Sequence, residues 1–459
     1  MRLPKEQEKE IIASKQLLDI SFDMMVKQLR IAIHNFPDKR TGENIQYSIE
    51  DIALSGFSVF FTQCPSFLAF QKSMQENKGV NNAQSLFGIQ KIPSDNHIRD
   101  MLDVVPAETV FPVFTSIIET LRTANHLDGF RSYNNNLLCA LDGTQYFSSK
   151  TIHCDNCSTK KHKNGSITYS HSALTPVFLK PGFNKVISLP PEFITPQDGH
   201  EKQDCENTAA KRWLNQFAPL YKTLGITILG DDLYCRQSLC KLILLHGLDF
   251  ILVCKPDSHQ TLYQWVEDLD GLQAVETVVE KRWTGKTHFI DTYRFVNQVP
   301  LRDGENAHMV NWCELTTTLP DGTTVYKNAF ATNFEISRNN VKQIIADGRA
   351  RWKIENENNN ILKNRGYHLE HNFGHGNKYL SQLMPTLNLL AFLFHTVLEM
   401  IDEKYGLIRS DLPTRQTFFD DIRALTRYIY FENWDAILTF MLHGLQRLHS
   451  LEPEVLDTS

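Results

Sequence analysis

The chain has 459 residues, 42% of them hydrophobic and 22% charged, and a net charge of −6 from 47 basic and 53 acidic side chains. That composition excludes a mostly disordered chain and a globally basic nucleic-acid binder, while leaving room for local basic grooves. At about 150 residues per domain it predicts roughly three structural units. The opening MRLPKEQEKEIIASKQ has no apolar stretch, so no secretory signal is expected. Nine cysteines, an odd number, predict thiols or metal ligands in a reducing compartment rather than a disulfide framework.

Residues 1–130 read as helical. An apolar face begins at Leu17, Leu18, Ile20, Phe22, Met24 and Met25, and residues 57–70 are rich in aromatics. Phe111, Phe114, Ile117, Ile118 and Leu121 have the i, i+3, i+4 spacing of a buried helix face. Ser94 is placed to cap a helix over residues 98–104.

The pattern changes near residue 137. A short apolar run to Leu141 predicts a strand ending at Asp142-Gly143-Thr144, with further strands at 168–178 and 185–189 and a loop at 190–207. A helix over 209–224, a strand over 226–229 ending at Gly230-Asp231-Asp232, a helix at 239–246 and a strand at 250–254 follow. This alternation predicts an α/β core. Residues 266–334 alternate polar and apolar side chains, with an Asp321-Gly322 turn, and read as a β-rich insertion. A strand at 329–333, a long polar helix over 341–363 and a helical tail complete the chain. Residues 380–401 are the most apolar late stretch. Gln382, Pro385, Asn388, His395 and Glu399 make them a buried core helix rather than a bilayer span.

Two core strands thus end in aspartates, Asp142 and Asp231, and a third acid, Glu355, lies on a helix beside Arg349, Arg351 and Lys353. Carboxylates at strand ends suit Mg²⁺, and two such ions about 3.5–4 Å apart align an in-line displacement at phosphorus. Taken singly, each acid is equally readable as a turn or a solvated helix residue. Asp232 and Glu357 are the alternatives, Glu357 lying about 200° around a regular helix from Glu355. The Asp-x-Asp-Gly-Thr pattern of covalent phosphatases is excluded, because Ala140 stands where the nucleophile is required.

The run Arg351-Trp352-Lys353-Ile354-Glu355 resembles the R-W-x-I-E segment of bacterial insertion-sequence transposases of the DDE class, whose signature is Y-x2-R-x3-E-x6-K. Leu229-Gly230-Asp231-Asp232-Leu233-Tyr234 resembles their second-aspartate segment and Leu141-Asp142-Gly143-Thr144 the first, over roughly residues 135–400. Two positions depart from the signature: Gly348 replaces the tyrosine, and Leu362 replaces the lysine, with Lys363 about 80° further round a regular helix. The resemblance implies a ribonuclease H-like mixed-sheet catalytic core over 131–400, carrying a β-rich insertion at about 266–334. A helical DNA-binding or dimerisation domain over 1–130 precedes it and a helical region over 401–459 follows. It also implies a magnesium- or manganese-dependent endonuclease and strand-transfer activity, with Asp142, Asp231 and Glu355 holding two ions. The transposase would work by cut-and-paste DNA transposition, a form of DNA recombination, on terminal inverted repeats and target DNA. It would act as a homodimer on DNA in the bacterial cytoplasm (nucleoid), without a membrane. Arg351, Lys353, Lys363 and Arg365 would face DNA, and Trp283 or Trp312 would support a displaced base. A DNA nuclease without strand transfer, or a non-catalytic or domesticated zinc-containing DNA-binding protein, remains the alternative.

Between the first two acidic segments lies His153-Cys154-x2-Cys157-x4-His162, followed by His171. Cys-x2-Cys is half of a tetrahedral zinc site, with His153 and His162 as companions, although free thiols in a polar loop fit equally. Lys161 and its neighbouring lysines are placed to meet DNA phosphates. His368, His371 and His375, near a helix end, could bind a metal but read more readily as loop histidines, Cys235, Cys240 and Cys254 read as core residues, and 94–101 as a candidate recognition helix.

Overall fold

The computed structural model describes residues 20–42, 45–75, 81–196 and 205–446. Leu17, Leu18 and part of the 190–207 loop lie outside them. The fold is mixed α/β. Strands run in chain order as β1 (Leu137–Ala140), β2 (Gly143–Ser149), β3 (Ser158–Lys161), β4 (Ile167–Leu174), β5 (Val177–Leu179), β6 (Ile187–Ser188), β7 (Glu192–Ile194), β8 (Ile226–Gly230), β9 (Asp249–Val253), β10 (Glu276–Trp283), β11 (His288–Pro300), β12 (Met309–Thr318) and β13 (Thr324–Thr332). The chain divides into two compact units, and the division does not follow sequence order. One gathers Met1–His126, Gln145–His171 and Asn360–Ser459, and the other Leu127–Thr144 and Ser172–Asn359. Residues after 360 group with the N-terminal helices.

The first unit is built on helices. Ser21 accepts the amide of Met24, opening Phe22–Ile33, whose Phe22, Met25, Val26, Leu29 and Ile33 are buried on one face. The aromatic stretch forms two helices, Ile49–Phe61 and Phe67–Gln75, rather than one. Ile49–Phe61 packs on Leu380–Ile401. That 22-residue helix is long and apolar enough to cross a membrane, yet every residue from Leu380 to Leu398 is buried inside the protein. Several of its polar side chains find partners there. Asn388 donates to the Tyr367 carbonyl at 2.8 Å, His395 Nδ1 meets the Tyr367 hydroxyl at 2.6 Å, and Arg415 reaches Glu399 at 2.7 Å. Inside a bilayer these groups would lack most such partners. Ser94 caps Asp95–Leu102 as expected. That helix is occupied structurally: Arg99 donates to the Phe373 carbonyl at 2.7 Å, and Asp103 beyond it accepts the amides of Asn377, Lys378 and Leu380. Asp95, Asn96 and Asp100 leave it an acidic outer side, poorly suited to a DNA groove.

The second unit is built on a nine-stranded sheet with helices on it, and also holds β7 paired with the end of β4. That sheet's strand order is β10-β11-β12-β13-β9-β8-β1-β5-β6. β1, β8 and β9 are parallel, flanked by antiparallel β5 and β6 on one side and the β10–β13 meander on the other. The β-rich insertion is therefore an extension of the core sheet, joined through β13 on β9 with Phe330 opposite Val253. The predicted strand over 168–178 is two strands, β4 and β5, broken at Pro176, which cannot donate to a ladder. The predicted helix over 341–363 is also interrupted. Val341–Arg349 is α-helical, Ile354–Asn359 is π-helical, and Asn360–Asn364 resumes the α-helix.

Gly348, where the signature has tyrosine, is explained by this layer. Its helix packs on β9, and a Cβ there would lie 2.7 Å from the Phe330 ring and 2.9 Å from Ile251. The sheet leaves no room for any side chain. Gly348→Ala is expected to destabilise the fold by about 1–3 kcal/mol through overpacking, read as a lowered denaturation midpoint with unchanged slope.

Candidate active site and metal centres

β1 and β8 run in parallel with Ala140 opposite Leu229, and Leu141 continues the ladder by donating to the Leu229 carbonyl at 2.9 Å. Continuing that register brings Asp142 beside Asp231, both just beyond the carboxyl ends of neighbouring strands. In open α/β sheets this edge is where ligands are held. The π-helical stretch packs on β5 and presents Glu355 to solvent while burying Asn358 and Asn359. Asn359 donates to Asp142 Oδ2 at 3.2 Å and accepts from the Thr175 hydroxyl at 2.9 Å. Arg351 Nη1 stands 3.9 Å from Asp142 Oδ1.

A fourth acid joins them. Glu206 opens the helix Glu206–Tyr221, and its carboxylate accepts the Tyr234 hydroxyl at 3.1 Å. It rests against Gly143, where any Cβ would collide with that carboxylate. Burial pushes the Asp142 carboxyl up to about 7; Arg351 opposes the rise, and Glu206, Asp231 and Glu355 add to it. Asp142 thus feels three other carboxylates and one guanidinium, a donor set that favours a bound cation. A carboxyl raised in the folded state stabilises the fold below its unfolded value and loses that contribution as pH rises through about 7. The metal-free protein is therefore expected to gain more in melting temperature from added Mg²⁺ above that pH than below it, measured by thermal denaturation after chelator treatment.

The alternatives separate. Asp231 acts on Asp142, whereas Asp232 Oδ1 accepts the Lys255 amide at 2.7 Å and lies 3.3 Å from His259. Among the residues expected to face DNA, Lys353 is a correction: it is 7% exposed, with its ammonium 4.9 Å over the Trp352 ring. Trp312 is another, 1% exposed in β12 and packed against Tyr263, so it has no open face for a base. Trp283 is 56% exposed at the end of β10, its ring tilted against His288, and Lys161 and Arg365 are exposed. Lys363 pairs with Glu370 at 3.0 Å, and Leu362 is buried. An i→i+5 turn takes up one residue more than an α turn, so the 80° offset of a regular helix does not hold across Ile354–Asn359.

Cysteine and histidine residues come together elsewhere. Among the described residues, two such groups bring their donor atoms within 4.8 Å of one another, and both could hold a metal such as zinc. The first, in the helical unit, is Cys154, Cys157, His171 and His375. The two sulfurs are 4.0 Å apart; His171 Nε2 lies 3.6 Å from Cys154 Sγ and 3.3 Å from Cys157 Sγ, and His375 Nε2 lies 3.6 Å from Cys157 Sγ. A tetrahedral zinc site has edges of about 3.8 Å between sulfurs and about 3.5 Å between sulfur and nitrogen. Tyr146 stacks on His171 and Phe147 lies on His375, giving an aromatic wall.

The expected histidines are corrected. His153 is exposed, stacked on Tyr169 with Nδ1 at the Thr151 carbonyl, and His162 sits in the β3–β4 turn bonded to Thr168 at 2.7 Å. The hairpin directs both away from the sulfurs. His171 replaces them from β4, and His375 from the loop before Leu380–Ile401. Burial, aided by His375, pushes His171 down to about 4, keeping its ring neutral and able to ligate. Compared with known families and with curated proteins, the chain matches no family model and no curated sequence.

Proposed function

We propose that the chain is a DNA transposase of the DDE class, carrying out metal-dependent cleavage at element ends and strand transfer on a ribonuclease H-like core. The observation that carries this reading is the pairing of Asp142 with Asp231 at the ends of parallel β1 and β8, with Glu355 and Glu206 adding to the negative field at Asp142. A mixed sheet with acids on one edge supports the ribonuclease H-like reading.

Asp142, Asp231 and Glu355 would supply the hard oxygen donors that two Mg²⁺ or Mn²⁺ ions take. When bound, such ions activate the attacking oxygen and neutralise the leaving oxygen of a phosphodiester. The protein's own part is positional. Asn359 holds one oxygen of Asp142 and is itself held by Thr175. Arg351 offsets part of the negative charge and sits where a phosphate would approach. The Tyr234 hydroxyl, buried and kept protonated, holds Glu206 by donating to it.

The Cys154, Cys157, His171 and His375 group is read as a structural zinc site, tying the β3–β4 hairpin to the loop before Leu380–Ile401. A DNA substrate would place the protein in the bacterial nucleoid, with two copies pairing two inverted-repeat ends.

The test is incubation with a DNA fragment spanning the coding region's flank, a target plasmid and Mg²⁺ or Mn²⁺. Nicking at the element boundary followed by joined products supports the proposal. Cleavage without joining favours a nuclease, and binding without cleavage favours a non-catalytic DNA-binding protein.

A further inference from the structure

The sheet unit carries a second group of soft donors beside the acidic edge. Cys235, Cys254 and His259 bring their ligand atoms within 4.8 Å of one another. All three are buried, at 0%, 1% and 5% exposure. They come from three places: the turn after β8, the residue after β9, and the residue that starts the helix Gln260–Gly271. No Cys-x2-Cys spacing announces them in the sequence.

Two observations separate this group from ordinary core thiols. His259 Nε2 is buried without a hydrogen-bond partner, a costly state for an imidazole nitrogen. It also stands 3.3 Å from Asp232 Oδ1, outside hydrogen-bond geometry. The groups around these donors hold them in place: the Lys255 amide fixes Asp232 at 2.7 Å, and the Tyr263 hydroxyl donates to the Cys254 carbonyl at 2.8 Å.

We infer that Cys235, Cys254 and His259 form a second zinc site, structural in kind, with Asp232 beside His259. Two thiolates and one imidazole are the ligand chemistry of zinc rather than of Mg²⁺ or Ca²⁺. Entry of Zn²⁺ displaces the two thiol protons to solvent. Cys235 lies in the turn from which Asp231 projects, so the ion would fix that turn. That link to catalysis rests on the proposed triad; the metal site does not.

Elemental analysis of protein purified without chelators tests it. The expected content is two zinc per chain, falling by one in Cys254→Ser and in His259→Gln. One zinc per chain that is lost in these variants also supports this site and removes the hairpin site instead. No zinc, or one zinc retained in both variants, overturns it. If either variant fails to fold, cobalt titration of Cys157→Ser, which lacks the hairpin site, gives the answer. Thiolate-to-cobalt absorption that persists in Cys157→Ser supports the site, and its absence there overturns it. None of these readouts involves DNA, so failure here is distinct from failure of the transposase reading.

Discussion

Asp142→Asn is expected to abolish metal-dependent DNA cleavage while making the metal-free protein more stable above pH 7. Losing a carboxylate that holds catalytic ions removes several kcal/mol of transition-state stabilisation, about a thousandfold in rate. The stability gain has a separate origin. Asp142 is raised to about 7 by burial and by Glu206, Asp231 and Glu355, so its ionised form works against the fold. A neutral amide of the same shape removes that repulsion and still meets Asn359. Cleavage rates and chelator-treated melting curves, taken on the same preparation, test both halves. A variant that loses stability together with activity would mean that Asp142 is a structural acid. Asp231→Ala and Glu355→Ala are expected to lose cleavage to a similar degree.

Removing zinc from the hairpin site is expected to lower the melting temperature of the helical unit by about 10 °C or more. Cys154 and Cys157 lie before β3, His171 lies on β4 and His375 is far along the chain, so one ion would close a long loop in addition to ordering a turn. Cys157→Ser should reproduce the effect of a strong chelator, whereas His153→Ala and His162→Ala should not. Differential scanning calorimetry with and without added zinc distinguishes these variants. Equal melting temperatures for Cys157→Ser and the parent protein would remove the ion from the account.

Much of the acidic edge was legible because strand-end acids leave a local signature. Asp142 and Asp231 each follow a short apolar run. Glu206 was not legible: it starts a helix, and only folding brings it against Gly143. Asn359 was hidden in a run of three asparagines, where composition suggested only a polar tract. His171 and His375 were missed as ligands for a similar reason. Neighbouring histidines in sequence, His153 and His162, are turned away by a hairpin, while the partners come from a strand and a distant loop. The helix carrying Glu355 was read as regular because periodicity over a few turns does not register one inserted residue, and the π turn supplies that residue. The insertion was recognised as β-rich, but its union with the core sheet depends on β13 pairing with β9, a long-range register.

The discontinuous helical unit sets an order on biosynthesis. The sheet unit is complete once residue 359 has left the ribosome, whereas Ile49–Phe61 finds its partner helix only when residues up to Ile401 have emerged. At about 5–20 residues per second, the nascent N-terminal helices wait many seconds with Phe57, Phe60 and Phe61 uncovered. His375 emerges in the same late interval, so the hairpin cysteines would remain without their full ligand set until translation is nearly over. Chains that stop short of Leu380 should therefore carry a finished sheet attached to sticky, unpartnered helices, the material that chaperones and proteases select.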